Sequence, residues 1–247
     1  MKKYLSVFMI YVRNSFYKFV LLLTAMAAVQ TGLFLRMPEK IHKHTNMTHK
    51  FMGVEETLQG SGLFIVFGVA FVLLTVILCY AGCELSGKQG YTLRRLRIKE
   101  NKVFLMQFSA NTMFYAMFWF CEIVIIRFLM QLYLKDVPEE IYTNQMLMLS
   151  FYRNDFLGAL LPLSDTVNLV RNIIWIFAMG ASSALFPYLQ RRGKIAFSLL
   201  IMTAIVLVGF AAGDSAGTKA LPAVWAVFII ISSLWRTMRG DYDEKEA

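Results

Sequence analysis

A few polar side chains set in long apolar runs are the first candidates for chemistry in this chain. Gln107, Asn111, Glu122 and Arg127 all fall inside the stretch 103–134. A charged group near the centre of a membrane-crossing helix costs about 2.5–3.5 kcal/mol on insertion scales, so its presence there asks for a function or a partner. Asn111 and Glu122 are therefore the candidates for a polar path open to a solute, and anchoring one helix to another is the plainer role for both. Glu122 and Arg127 are five positions apart and do not share a helix face, so they are not an intrahelical pair.

Other constellations offer less. His42, His44 and His49 cluster in IHKHTNMTHK, a tract of zinc-binding composition, but Lys40, Lys43 and Lys50 stand among them and repel a divalent cation. The Asn46-Met-Thr48 sequon matters only in a glycosylating pathway. Cys79 and Cys83 share a helix face, and packing as small buried thiols is the simplest use of them. Three cysteines, counting Cys121, imply no disulfide framework. The chain has no GxxxxGK[ST] nucleotide loop, no HExxH and no GxSxG elbow. Asp214 has no second intramembrane aspartate to share a proton with. The expectation is a chain without catalytic residues, metal site or cofactor of its own.

The elements that carry these residues are set by composition. Hydrophobic residues make up 57% and charged residues 17% of 247, with mean hydropathy +0.55, against about 45–50% and 25% in soluble domains. Apolar runs over 16–35, 62–82, 103–126, 171–189, 195–212 and 219–236 approach the roughly 20 residues that cover a bilayer core. Lipid satisfies no backbone N–H or C=O, so unalternating runs of this length must be helices. The fold class expected is an all-α integral membrane protein, one domain over 1–247, with six transmembrane helices. Residues 1–15 place Leu5, Phe8, Met9 and Val12 on one face, which reads as an amphipathic interfacial helix or as an extension of the first span. Arg13 and Lys18 interrupt the run, so it reads as retained and not as a cleaved signal. The outer loop 134–170 carries FLGALLPLSDTV (156–167), a short re-entrant or interfacial element in which Ser164 or Asp165 caps the turn after Pro162. Gly180–Ala184 is a patch of small residues suited to close helix packing.

Charge sets the orientation. The amino-terminal segment, the 83–102 loop, residues 190–194 and the tail hold 16 of the 25 lysines and arginines, and the opposite face holds 9. Basic residues stay in the cytoplasm, which puts both termini and the 83–102 loop inside the cell membrane. The net charge of +9 is then accounted for by topology and by anionic lipid, and nucleic acid is not a partner.

The densest cationic stretch is 83–104, CELSGKQGYTLRRLRIKENKVF. Leu93, Leu96 and Ile98 give it one apolar edge among Arg94, Arg95, Arg97 and Lys99, a docking surface beside the membrane. Glu84, then Gly90, Thr92 and Leu93, then Leu96 and Ile98 before the third span resemble the first cytoplasmic loop of ABC-2-type transporter permeases. Tyr91 is inserted between the glycine and the threonine, and the apolar outer piece lies between spans three and four where many of these permeases have it between five and six. The resemblance implies a bacterial permease subunit, exporting its substrate and lacking its own ATP site. Separate ATP-binding-cassette ATPase subunits would dock on Glu84, Gly90, Thr92, Leu93, Leu96 and Ile98. A second permease copy or a related permease would complete the path. The alternative from another class is a non-transporting membrane scaffold or sensor whose basic loop binds anionic lipid.

Overall fold

Long apolar runs broken by capping residues leave the backbone little choice but helix, and the computed structural model is helical in every regular element among its described residues, 2–44, 60–83, 99–136, 154–162, 165–211 and 216–246. In chain order the helices are α1 (Lys2–His44), α2 (Leu63–Gly82), α3 (Glu100–Asp136), α4 (Asp155–Leu160), α5 (Thr166–Gln190), α6 (Phe197–Ala211) and α7 (Ala216–Glu246). Five of them, over Tyr4–Arg36, Leu63–Gly82, Glu100–Tyr133, Thr166–Gln190 and Leu221–Met238, are long and apolar enough to cross a membrane. The surface agrees. Ile65, Phe120, Phe228 and Trp235 are exposed while Gln30, Asn111, Ser182 and Ser183 are fully buried, the polarity expected when the surrounding solvent is lipid. The chain is a membrane-embedded helical protein.

Several expected boundaries differ. Residues 2–15 do not form a separate helix; they run unbroken into α1, with Val7 and Tyr11 buried. α3, Glu100–Asp136, contains the expected span 103–126 and runs on beyond it through the stretch 103–134, because a helix leaving hydrocarbon keeps its own backbone bonds. α5 begins at Thr166, five residues before the expected 171, because Asp165 caps it: Oδ1 accepts from the Val167 N–H at 3.0 Å and Oδ2 from Asn168 Nδ2 at 3.1 Å. The run expected over 195–212 is a helix of 15 residues, Phe197–Ala211, about 22 Å long against a hydrocarbon core of about 30 Å.

α5 is the centre of the bundle. It packs against α2, α3, α6 and α7, and 61% of its spanning window is buried compared with 22% for α7. The small patch predicted on it lies against α3: a Cβ on Gly180 would collide with Thr112, and Ala181, Ser182, Ser183 and Ala184 are all sealed. An aromatic cluster of Phe67, Phe118, Phe156, Trp175 and Phe210 joins α2, α3, α4, α5 and α6. The first part of the 156–167 piece forms α4, capped by Asn154, whose Oδ1 accepts from the Phe156 and Leu157 N–H groups. Its end is tied inward, as Trp119 Nε1 donates to the Leu160 carbonyl at 3.0 Å and Asn172 Nδ2 to the Ala159 carbonyl at 2.7 Å.

Candidate functional site

The basic segment is rooted at Cys83, where α2 stops, and at Lys99–Glu100, where α3 starts. The segment itself, 84–98, and with it Glu84, Gly90, Thr92, Leu93, Leu96 and Ile98, lies outside the described residues, as do Asn46–Thr48, His49, Ser164 and Asp214. Its two roots are described, and both are held by the end of α5. The Cys83 thiol donates to Gln190 Oε1 (2.7 Å), Arg191 Nη2 donates to the Gly82 carbonyl (3.3 Å), and Arg192 Nη2 pairs with Glu100 Oε2 (3.2 Å). Three consecutive residues therefore clamp both roots.

Local sequence fixes the clamp. α5 ends in a turn in which the Gly193 N–H bonds to the Gln190 carbonyl and the Lys194 N–H to the Leu189 carbonyl. Gly193 takes φ +66° there, a left-handed conformation that a side chain would strain. Pro187, in the last turn, has no N–H to give the Ser183 carbonyl, and the Cys79 thiol approaches that carbonyl at 4.0 Å. The Arg192 guanidinium lies 4.5 Å over the Tyr188 ring, which orients it toward Glu100. Burial pushes the Cys83 thiol up, and the Arg191 guanidinium partly offsets this.

Behind the roots the helices approach closely. A Cβ on Gly82 would overlap the Gln107 side chain and lie 2.6 Å from Pro187 Cγ. Gln107 Nε2 donates to the Tyr11 hydroxyl at 3.0 Å, and that hydroxyl donates to the Leu78 carbonyl at 2.7 Å. One turn further along α3, Asn111 Nδ2 meets Ser183 Oγ of α5 at 2.9 Å; one turn beyond, the Tyr115 hydroxyl meets Thr75 Oγ1 of α2 at 3.1 Å. Glu122 continues the same face, accepting from Gln30 Nε2 of α1 at 2.8 Å. One stripe of α3 thus ties it to α1, α5 and α2 through hydrogen bonds.

Asn111 and Glu122, the two residues expected on a polar path, are both fully buried and each is paired with another helix. They are about 16 Å apart along α3 and are not brought together. Gln190, Arg191, Arg192, Tyr11, Tyr115 and Ser183 were not singled out for the roles they take here. The spacing of Gln107, Asn111 and Tyr115 at i, i+4 and i+8 was the available signal, since it puts three hydrogen-bonding groups on one helix face. Among the described residues no group of three or more His, Cys, Asp or Glu is placed to hold a metal ion. Comparisons with family models, with curated proteins and with solved structures match nothing.

Proposed function

We propose that this chain is the permease subunit of an ATP-binding-cassette transporter of the ABC-2 type, working as an exporter in the cell membrane. In this reading six helices cross, with Phe197–Ala211 as the short fifth span, and both termini are cytoplasmic. ATP is hydrolysed in a separate ATPase subunit seated on 84–98, and a second copy or a related permease completes the path. The observation that carries the reading is the double clamp. A loop that serves topology alone needs no bracing, whereas a loop that is pushed must pass the displacement to the spans. Here Gln190, Arg191 and Arg192 join both roots to the most buried helix of the bundle, so movement of 84–98 displaces α2, α3 and α5 as one body. ATP binding in the partner would then shift the spans between inward-open and outward-open populations.

The test is Leu93→Asp in the tagged full chain. The substitution puts a charge on the apolar edge, so the ATPase subunit is lost from the purified complex while membrane insertion is unchanged; an intact complex ends this reading. A scramble of 90–98 that preserves charge separates the lipid-binding alternative. Binding to anionic vesicles survives such a scramble, and docking to a shaped groove does not.

A further inference from the structure

Gln30 of α1 and Glu122 of α3 are both fully buried, and Gln30 Nε2 donates to Glu122 Oε1 at 2.8 Å. The same two side chains leave two oxygens over. Gln30 Oε1 and Glu122 Oε2 are each sealed and each lack a hydrogen-bond partner among the described residues. An ionised carboxylate only accepts, so these two acceptors cannot satisfy one another; a carboxylic acid has an O–H to give. Leaving a buried polar atom unpaired costs about 1–3 kcal/mol, and an uncompensated buried charge costs more.

Among the described residues no other group donates to either oxygen. Between α1 and α3 runs a groove of about 530 Å³ lined by Ala27, Ala28, Thr31, Gly32, Val124, Ile125 and Phe128, and neither Gln30 nor Glu122 lines it. Its one hydroxyl, on Thr31, is already given to the Ala27 carbonyl at 2.7 Å. No lysine or arginine among the described residues pairs with Glu122, and Arg127 projects from a different face of α3. A single hydrogen on Oε2 would supply the donor that Gln30 Oε1 lacks, removing both orphans and the charge together.

We propose that Glu122 is a proton-binding site: its carboxyl is held as the neutral acid and closes a two-bond ring with the Gln30 amide, latching α1 to α3. This does not depend on the transporter reading, because it rests on the pair alone.

Infrared difference spectra of the full chain in lipid nanodiscs at neutral pH, wild type minus Glu122→Gln, test it. The expected result is a carbonyl band of a protonated carboxylic acid that is present in the wild type, lost in the variant and shifted in heavy water. Gln30→Leu, which keeps the acid but removes the amide, moves the band to higher frequency. Glu122→Gln should fold as the wild type does, since a second amide reproduces both bonds. Ionised-carboxylate bands in place of the acid band overturn the proposal, as do an acid band unmoved by Gln30→Leu and a Glu122→Gln variant that fails to fold.

Discussion

Cys83 and Gln190 stand 107 residues apart in sequence and meet at 2.7 Å, the thiol of one helix end donating to the amide oxygen of another. With Arg191 on the Gly82 carbonyl and Arg192 on Glu100, this contact makes the end of α5 the common support of both roots of the basic loop. The consequences can be measured separately.

Cys83 reports on the clamp by its reactivity. Burial raises the thiol and Arg191 lowers it part of the way back, while the thiolate is the form that reacts. In a Cys79→Ser, Cys121→Ser background, maleimide labelling of Cys83 should be slow near neutral pH and accelerate as pH rises. Removing the cation with Arg191→Met leaves less thiolate at a given pH, so the rate falls further. A rate unaffected by Arg191→Met would mean the guanidinium is not where the Gly82 contact puts it.

The Arg192–Glu100 pair is partly exposed, with side chains 28% and 38% accessible, so its stability contribution is small, about 0.2–1 kcal/mol. Its importance is positional. On the proposed permease function, Glu100→Arg alone should reduce stimulation of the partner ATPase more than it lowers the unfolding temperature, and Glu100→Arg with Arg192→Glu should recover most of the loss. A double-mutant cycle with no coupling energy would remove the pair from the clamp.

Gly82→Ala tests the close approach behind the roots. The added methyl meets the Gln107 side chain, which can swing, and the Pro187 ring, which cannot. Overpacking of this kind costs about 1–3 kcal/mol. Thermal unfolding should show the loss, and adding Gln107→Ala should restore only part of it.

How much of this was legible beforehand differs by element. The run 62–82 became α2 at Leu63–Gly82, because a continuous apolar stretch of span length that ends before Glu84 admits one answer. Asp165 was one of two cap candidates, with Ser164, for a short turn after Pro162; that it caps the long helix α5 was not readable from its residue type. The amino-terminal segment was harder: of the face formed by Leu5, Phe8, Met9 and Val12, Phe8 and Val12 pack against the core beside the buried Val7 and Tyr11, while Leu5 and Met9 are exposed. Periodicity reports that a helix has a face and is silent on what covers it. Gln190, Arg191 and Arg192 were visible only as topogenic polarity, because their partners lie 92 to 109 residues away and no local spacing encodes such pairings. Glu122 was conspicuous as a charge in an apolar run, and its partner Gln30 was hidden for the same reason.

Tyr11→Phe distinguishes a docked amino-terminal helix from one lying at the membrane interface. The hydroxyl both receives from Gln107 and donates to Leu78; the Leu78 carbonyl keeps its place in the helical ladder of α2, so removing the hydroxyl strands the buried Gln107 amide at a cost of about 1–3 kcal/mol before relaxation. Unfolding in detergent should fall clearly below wild type. A silent substitution would place residues 4–15 away from α2 and α3.

The most direct measurement is a photocrosslink from position 93. A photoreactive amino acid replacing Leu93 in the full chain, activated in native membranes, should join the protein to an ATP-binding-cassette ATPase subunit identified by mass spectrometry, with a yield that changes when ATP is added. Crosslinks to lipid alone, or labelling of position 92 by a membrane-impermeant reagent applied from outside the cell, would contradict the account.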